Sequence, residues 1–402
     1  MKIAVVGTGY VGLVTGACFA ETGNDVTCVD NDESKVRNLR RGEIPFYEPG
    51  LPELVSRNVG EGRLSFSSDT TTAVRDAEIC FVCVGTPSKP DGSADLRHVF
   101  EVADAVAEVC DEIVLTIKST VPIGTSDAVR QRLEEKGKAN IGLVSNPEFL
   151  REGSAVQDCL QPDRVIVGTE DPDIAEIFRQ LYAPYVRTGR PIFIMDIRSS
   201  EMTKYAANSL LAQRISFMNE ISMLCDQVGA DISHVRKGIA ADHRIGEQYL
   251  FPSVGFGGSC FPKDVRALVS LAEEKGLSPR LLRATMLGEA SKKDTVSTTL
   301  SFIERAADKL GRDRLAGGNC GTFSLALAYC LKDLGKIPTL GFLYRFFEED
   351  NISDIDGLAG TDPDIYHVVV MLGDRMFDAS GETNVNALVA LSLRAYGDRE
   401  PA

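Results

Sequence analysis

The chain has 402 residues, a length that calls for two or three domains rather than one hydrophobic core. Hydrophobic residues make up 44% and charged residues 25%, the balance of a globular chain. The net charge of -15 argues against a nucleic-acid partner, which wants a basic face, so an anionic ligand has to be held by local cations and backbone N–H groups.

The first predicted element is "KIAVVG", an apolar run ending in glycine, which reads as a buried parallel strand. Gly7, Gly9 and Gly12 follow in G-x-G-x-x-G spacing, then a helical stretch that Gly23 is placed to stop. "DVTCVD" is the next strand and ends at Asp30, about 20 residues past the glycines, where a ribose-binding carboxylate belongs. The first glycine makes the tight turn, the second admits a pyrophosphate, the third packs helix on strand, and the helix start supplies partial positive charge. Strand, glycines, helix, strand and terminal Asp in that order predict dinucleotide binding. Asp30 favours NAD over NADP, because a carboxylate repels a 2′-phosphate; Asn31 and Asp32 add no cation, although Lys35 and Arg37 are near.

Strands and helices keep alternating to about residue 168, which predicts a doubly wound parallel sheet with ligands at the strands' carboxyl ends. The tips to watch are Gly85–Thr86–Pro87, Ser119–Thr120–Val121–Pro122 and Asn146–Pro147–Glu148. Cys80 and Cys83 form C-x-x-C inside one strand, where residues three apart face opposite sides, so no redox or metal pair is expected there. Cys28, Cys80, Cys83 and Cys225 read as reduced core residues of a cytoplasmic protein. The N-terminus lacks the apolar core and cleavage site of a signal peptide, and no run approaches the roughly 20 apolar residues of a membrane span.

A long helix is predicted from about Arg198, with Ser199 or Ser200 as cap, Glu201 at its positive end and Gly229 as its stop. Lys204 and Asn208 share a face. Tyr205, Leu211, Ile215, Met218 and Ile221 give the helix apolar surface to pack, including against its own copy in a dimer. In "GFGGSCFPKD", Cys260 stands just before a helix, where the dipole and Lys263 favour a thiolate, and Asp264 is placed to act on water.

"VGTGYVGL", "FVCVGTPSKPDGSADL", "KSTVPIGT", "NPEFLREGSAVQDCLQPDRVIVG", "KYAANSLLAQRISFMNEI" and "FPSVGFGGSCFPKDVRAL" together resemble the UDP-glucose 6-dehydrogenase family over residues 1 to about 285. GDP-mannose dehydrogenases share much of the pattern. The resemblance implies a homodimer that oxidises a primary alcohol to a carboxylate in two NAD-dependent steps, through a cysteine thiohemiacetal and thioester, with no metal. It implies Cys260 as nucleophile, Lys204 and Asn208 as oxyanion donors, Asp264 as the group assisting water, and Glu148 with Thr120 in acid–base chemistry. Cofactor contacts fall by matching motif on Gly7, Gly9, Tyr10, Val11, Gly12, Asp30, Lys35, Thr86, Thr120 and Glu152. Substrate contacts fall on Glu148, Phe149, Leu150, Arg151, Lys204, Asn208, Tyr249, Phe251, Ser253 and Gly257, with Arg244 matching an arginine that the family delivers from the neighbouring subunit. The resulting fold class is α/β: a Rossmann-type NAD-binding domain at 1–195, a central all-helical dimerisation and substrate domain at 196–290, and an atypical small α+β domain at 291–402 where the family has a nucleotide-gripping domain.

Residues 291–402 carry a second constellation. Cys320 precedes an apolar helical run, and "DIYHVVVMLGDRMFDASG" predicts a hairpin about Gly373 and Asp374. That hairpin sets Val369 opposite Asp378 and His367 diagonal to it. Cysteine at a helix start, then histidine and aspartate on paired strands, loosely resembles the order of papain-like thiol enzymes. A buried cysteine and an ordinary strand histidine explain the same residues.

Overall fold

A computed structural model describes residues 1–89, 93–187, 189–253, 256 and 260–287, with short strands at 340–341, 369–372, 375–378 and 381–383. The chain divides into two compact units, one of residues 1–209 and 263–278, the other of residues 210–262 and 279–402.

The first unit alternates strand and helix: β1 (Lys2–Val6), α1 (Tyr10–Glu21), β2 (Asp25–Val29), α2 (Glu33–Arg40), α3 (Leu51–Gly60), β3 (Leu64–Ser67), α4 (Thr70–Arg75), β4 (Ile79–Val82), α5 (Arg97–Val109), β5 (Val114–Ile117), α6 (Thr125–Glu135), β6 (Gly142–Ser145), α7 (Ala155–Leu160), β7 (Val165–Gly168), α8 (Pro172–Tyr182) and β8 (Ile192–Met195). The strands form one sheet in the order β3-β2-β1-β4-β5-β6-β7-β8. The order reverses at β1, between β2 and β4, which opens the ligand crevice of such sheets there. Apolar side chains fill both faces: Ile3, Val5, Phe19, Phe81 and Phe178 on one, Ala4, Val6, Val82 and Leu115 on the other. Cys80 and Cys83 fall on opposite faces, as the two-residue strand period requires.

The sheet is not wholly parallel, as the sequence pattern had suggested. β7 meets β6 antiparallel through Ser145 and Gly168, and β8 runs parallel to β7. The chain leaving β6 stays at the carboxyl edge, and the six residues of α7 span only about 9 Å, too little for a helical crossover back to the far edge.

The long helix α9 (Ile197–Val228) starts earlier than predicted. Asp196 accepts the Ser199 N–H at 2.9 Å and serves as its cap, while Ser199 and Ser200 lie inside the helix. Glu201 does not serve its own helix. Its carboxylate accepts from Gly124 N at 2.6 Å, Ser126 N at 2.9 Å and Ser126 Oγ at 2.7 Å, and so caps α6. Gly229, with φ of 73°, ends α9 as expected. Two further helices follow, α10 (Ile232–Ala240) and α11 (Phe261–Glu274), then α12 (Arg280–Leu287).

In the second unit, Arg214 of α9 donates to the Ile245 and Gly246 carbonyls at 2.9 and 2.8 Å, and Ser216 donates to the Thr285 carbonyl at 3.1 Å. α10 buries none of its residues, and Phe217, Met223, Leu224 and Val228 of α9 are exposed. Four short strands, β9 (Leu340–Gly341), β10 (Val369–Leu372), β11 (Arg375–Asp378) and β12 (Gly381–Thr383), pair antiparallel in the order β12-β11-β10-β9. The β10–β11 register, Val370 on Phe377 and Leu372 on Arg375, is the one the hairpin reading required. Cys320 and His367 lie outside the described residues, as does Gly257. Among the described residues no helix is long and apolar enough to cross a membrane, and no group of three or more His, Cys, Asp or Glu side chains is arranged to hold a metal.

Candidate active site

The crevice at the end of β1 is shaped by its glycines. Gly7 has φ of 100°, and a Cβ there would lie 2.6 Å from the Cys83 carbonyl oxygen. A Cβ on Gly12 would overlap the Gly7 carbonyl oxygen, so helix and turn close on each other. Over Gly9, by contrast, nothing lies within 4 Å of where a Cβ would stand, and no side chain caps α1. The open space above uncapped N–H groups fits a pyrophosphate. Tyr10 and Val11 open the helix beside it.

Asp30, just past β2, accepts from Thr8 N at 2.9 Å, Thr8 Oγ1 at 2.7 Å and Lys35 Nζ at 2.8 Å. Burial alone would raise its carboxyl, but the Lys35 ammonium and the Thr8 donors outweigh it and hold it at about 2. It is therefore a fixed anion, suited to accept from ribose hydroxyls. Asp30→Ala is expected to weaken NAD binding about 10-fold or more, the worth of a charge-assisted hydrogen bond, and to improve NADP relative to NAD by leaving Lys35 uncompensated. Fluorescence titration with both dinucleotides checks this; an unchanged NAD affinity refutes the role. At the neighbouring strand tips, Thr86 Oγ1 donates to the Thr120 carbonyl at 2.7 Å and Ser119 Oγ to the Val84 carbonyl at 2.6 Å.

Beyond β6 stands Glu148. Its Oε1 accepts from Lys204 Nζ at 2.8 Å and its Oε2 from Leu150 N at 2.7 Å, with Lys204 and Glu148 side chains only 6% and 9% exposed. Burial would push the Glu148 carboxyl up; Lys204, the Leu150 N–H and Lys118 together hold it below the ordinary range. Phe149 is flanked by two cations, Arg164 at 3.7 Å from its ring centre and Lys204 at 5.3 Å. One turn along α9, Asn208 donates to Asp264 Oδ2 at 2.6 Å. Lys263 is ion-paired with Asp264 at 2.8 Å. Cys260 is exposed and stands directly before α11, whose first turn holds Asp264.

Arg151 clamps Asp158 with contacts of 2.6 to 3.0 Å, and Glu152 beside it is exposed. In the second unit, Arg244 is exposed and forks onto its own neighbour Asp242. Tyr249 takes a left-handed φ of 59°, uncommon for a bulky residue, with its ring 6.2 Å from Phe251 and 5.8 Å from Phe261. Ser253 N donates to Asn219 Oδ1 at 2.5 Å.

Two buried charges at this edge were not anticipated. Lys118, 6% exposed, donates to Asn146 Oδ1 at 3.2 Å, an oxygen that also accepts from Tyr182 at 2.6 Å. Burial pulls the Lys118 ammonium down, and Glu148 is among the groups that oppose it. Its signal was a lysine closing the apolar run "VLTIK". The other is Glu48, 1% exposed, in "PFYEPGL".

A doubly wound sheet, a dinucleotide crevice at its switch point and buried Lys–Glu and Asn–Asp pairs beside it define an NAD-dependent dehydrogenase. The chain belongs to the UDP-glucose/GDP-mannose dehydrogenase family: residues 1–186 match its NAD binding domain and residues 198–288 its central domain. It is 43% identical over 349 residues to the UDP-glucose 6-dehydrogenase of Pseudomonas aeruginosa, covering 85% of this chain and 76% of that one. It is 46% identical over 345 residues to UDP-glucose 6-dehydrogenase TuaD of Bacillus subtilis, covering 85% and 72%. Among solved structures, a UDP-glucose dehydrogenase from Pyrobaculum islandicum superposes with a TM-score of 0.69 at 37% identity, covering 78% of this chain and 71% of that one.

Proposed function

We propose that the protein oxidises UDP-glucose to UDP-glucuronate in the cytoplasm, as a homodimer, through a thiohemiacetal and a thioester on Cys260. The observation that carries this reading is the pair of buried carboxylates, Glu148 and Asp264, each hydrogen-bonded to a donor one turn apart on α9, Lys204 and Asn208. Bound NAD, held by Gly7, Gly9, Gly12 and Asp30, supplies hydride acceptance for each of the two oxidations.

Glu148, kept ionised, takes the proton of the C6 hydroxyl as C6 gives up a hydride, with Thr120 at the neighbouring tip to orient hydroxyl or water. Cys260 Sγ then bonds to the aldehyde carbon. Lys204 and Asn208 stabilise the oxyanion that forms, a task for a cation and an amide donor. Loss of the second hydride leaves the thioester. Asp264 accepts one proton from water as the water oxygen bonds to C6. The C–S bond breaks with its electron pair going to Cys260 Sγ, which stays in the site and takes up the proton that Asp264 holds. The product acid gives its remaining proton to solvent and departs as the carboxylate. The Phe149–Arg151 loop, and Tyr249, Phe251 and Ser253 with Gly257, are the substrate contacts of this reading, with Arg244 acting in the partner's site. The exposed face of α9 and the unburied α10 support the homodimer.

The test is a panel of nucleotide sugars followed by NADH formation. Two NADH per UDP-glucose, with GDP-mannose and UDP-N-acetylmannosamine slower by at least about 10-fold, supports the reading; GDP-mannose turning over fastest shifts the substrate within the family. A second reading attaches to residues 291–402, a thiol hydrolase using Cys320, His367 and Asp378. The observation favouring it is the β10–β11 register. Labelling of Cys320 by a thiol-directed ester probe, lost in His367→Ala, decides it.

A further inference from the structure

Glu48 belongs to none of the motifs above, yet it joins three distant segments. Gly50, in the left-handed region with φ of 77°, turns the chain so that Leu51 N donates back to the Glu48 carbonyl, and Phe46 packs 5.0 Å from the Tyr10 ring. The Glu48 side chain is thereby placed under the loop that follows Glu148. Its Oε2 accepts from the Tyr10 hydroxyl and from Gly153 N, the latter at 2.8 Å, and its Oε1 from Val156 N at 3.3 Å. The Tyr10 oxygen also accepts from Gly153 N at 3.0 Å and lies 3.3 Å from the Arg151 carbonyl oxygen. Burial and then Glu48 push the Tyr10 phenol up, which keeps it a donor. Tyr10 is the first residue of α1, two residues before Gly12, where the pyrophosphate meets the helix.

We propose that Glu48 is a positioning residue that couples occupancy of the dinucleotide crevice to the placement of the Arg151–Gly153 loop, with Tyr10 as the link. A dinucleotide that fixes the start of α1 fixes the Tyr10 ring, the ring fixes Glu48, and Glu48 with the Tyr10 hydroxyl holds the loop backbone. The loop that follows Glu148 is then set before the sugar nucleotide arrives, so the two ligands bind cooperatively. The proposal rests on the dinucleotide site and not on which sugar is oxidised.

The experiment is amide hydrogen exchange of Gly153 and Val156 with NAD alone, in the wild type, Glu48→Gln and Tyr10→Phe. Glu48→Gln keeps the shape but turns an amide N–H toward one of the backbone donors; Tyr10→Phe keeps the ring and removes the link. NAD is expected to slow exchange at both amides roughly 5-fold or more in the wild type and less than about 2-fold in either variant. Titration of NAD with and without UDP-glucose is expected to show the matching loss of cooperativity in both variants. Exchange unmoved by NAD in the wild type, or slowed equally in Tyr10→Phe, overturns the coupling. A result in which NAD slows exchange as expected while UDP-glucose fails to bind overturns the substrate assignment and leaves the coupling standing.

Discussion

Cys260→Ser is expected to lower steady-state turnover of UDP-glucose on the order of 10⁴-fold, with NADH no longer formed in a ratio of two per sugar. A serine hydroxyl is a far weaker nucleophile than a thiol near neutral pH unless a base activates it. Without the thiohemiacetal the aldehyde has no covalent tether for the second hydride loss. Rapid-quench mass spectrometry gives the direct view: a wild-type adduct on Cys260 with the mass of an oxidised UDP-sugar, accumulating in Asp264→Asn because hydrolysis is slowed, and missing from Cys260→Ser. Near-normal rate with two NADH per sugar in Cys260→Ser would falsify the thioester route.

Lys204→Met is expected to cost about 3–5 kcal/mol of folding stability at neutral pH as well as most of the activity, because it leaves the Glu148 carboxylate buried without its closest cation. The pH dependence follows from the direction of the Glu148 shift. Its carboxyl is held below the ordinary range in the folded wild type, so its stabilising contribution is present above the unfolded value of about 4.3 and is lost as pH falls through the folded value. In the variant that contribution is gone at neutral pH. The deficit should shrink only as the pH falls through the depressed folded value of the wild type, below which Glu148 is protonated in both proteins. Urea unfolding at neutral and acid pH measures it. The double variant Glu148→Gln/Lys204→Met should recover part of the stability and none of the activity; a constant deficit across pH would show that Lys204 contributes through packing alone.

What the sequence revealed was local. Gly7, Gly9, Gly12 and Asp30 are read within one strand–helix–strand stretch, and the spacing of turn residues between alternating strands set the β10–β11 register. Lys204 and Asn208 were legible as one face of a helix, and the family resemblance supplied their role. What was missed depends on pieces of chain far apart. Asp196 outcompeted Ser199 and Ser200 as cap because Ser200 is drawn to the Ser145 hydroxyl and carbonyl at 3.0 Å. Glu201 looked like a residue serving its own helix dipole, yet α6 offers it three donors. Lys118 carries only the weak signal of a lysine closing an apolar run, and Glu48 carries none: their burial is visible only once Asn146 and Gly153 have been folded against them.

The antiparallel entry of β7 has a geometric consequence for the chemistry. Gly168 ends β7 level with Ser145, the last residue of β6, and β8 ends beside it at Met195, so α9 starts at the rim of the sheet rather than at its base. A Cβ on Gly168 would sit 2.5 Å from that of Ser200, which leaves room for the helix only because the residue is glycine. From there two rails leave the rim together, the backbone after β6 and the axis of α9. Ser145–Ser200 is the first rung between them and Glu148–Lys204 the second, three residues along one rail and four along the other. One further turn, a rise of about 5.4 Å, delivers Asn208 to Asp264. The position of Lys204 is thus metered from the sheet edge, and a one-residue insertion between Ser200 and Lys204 would swing the ammonium about 100° off its carboxylate without disturbing the cofactor crevice.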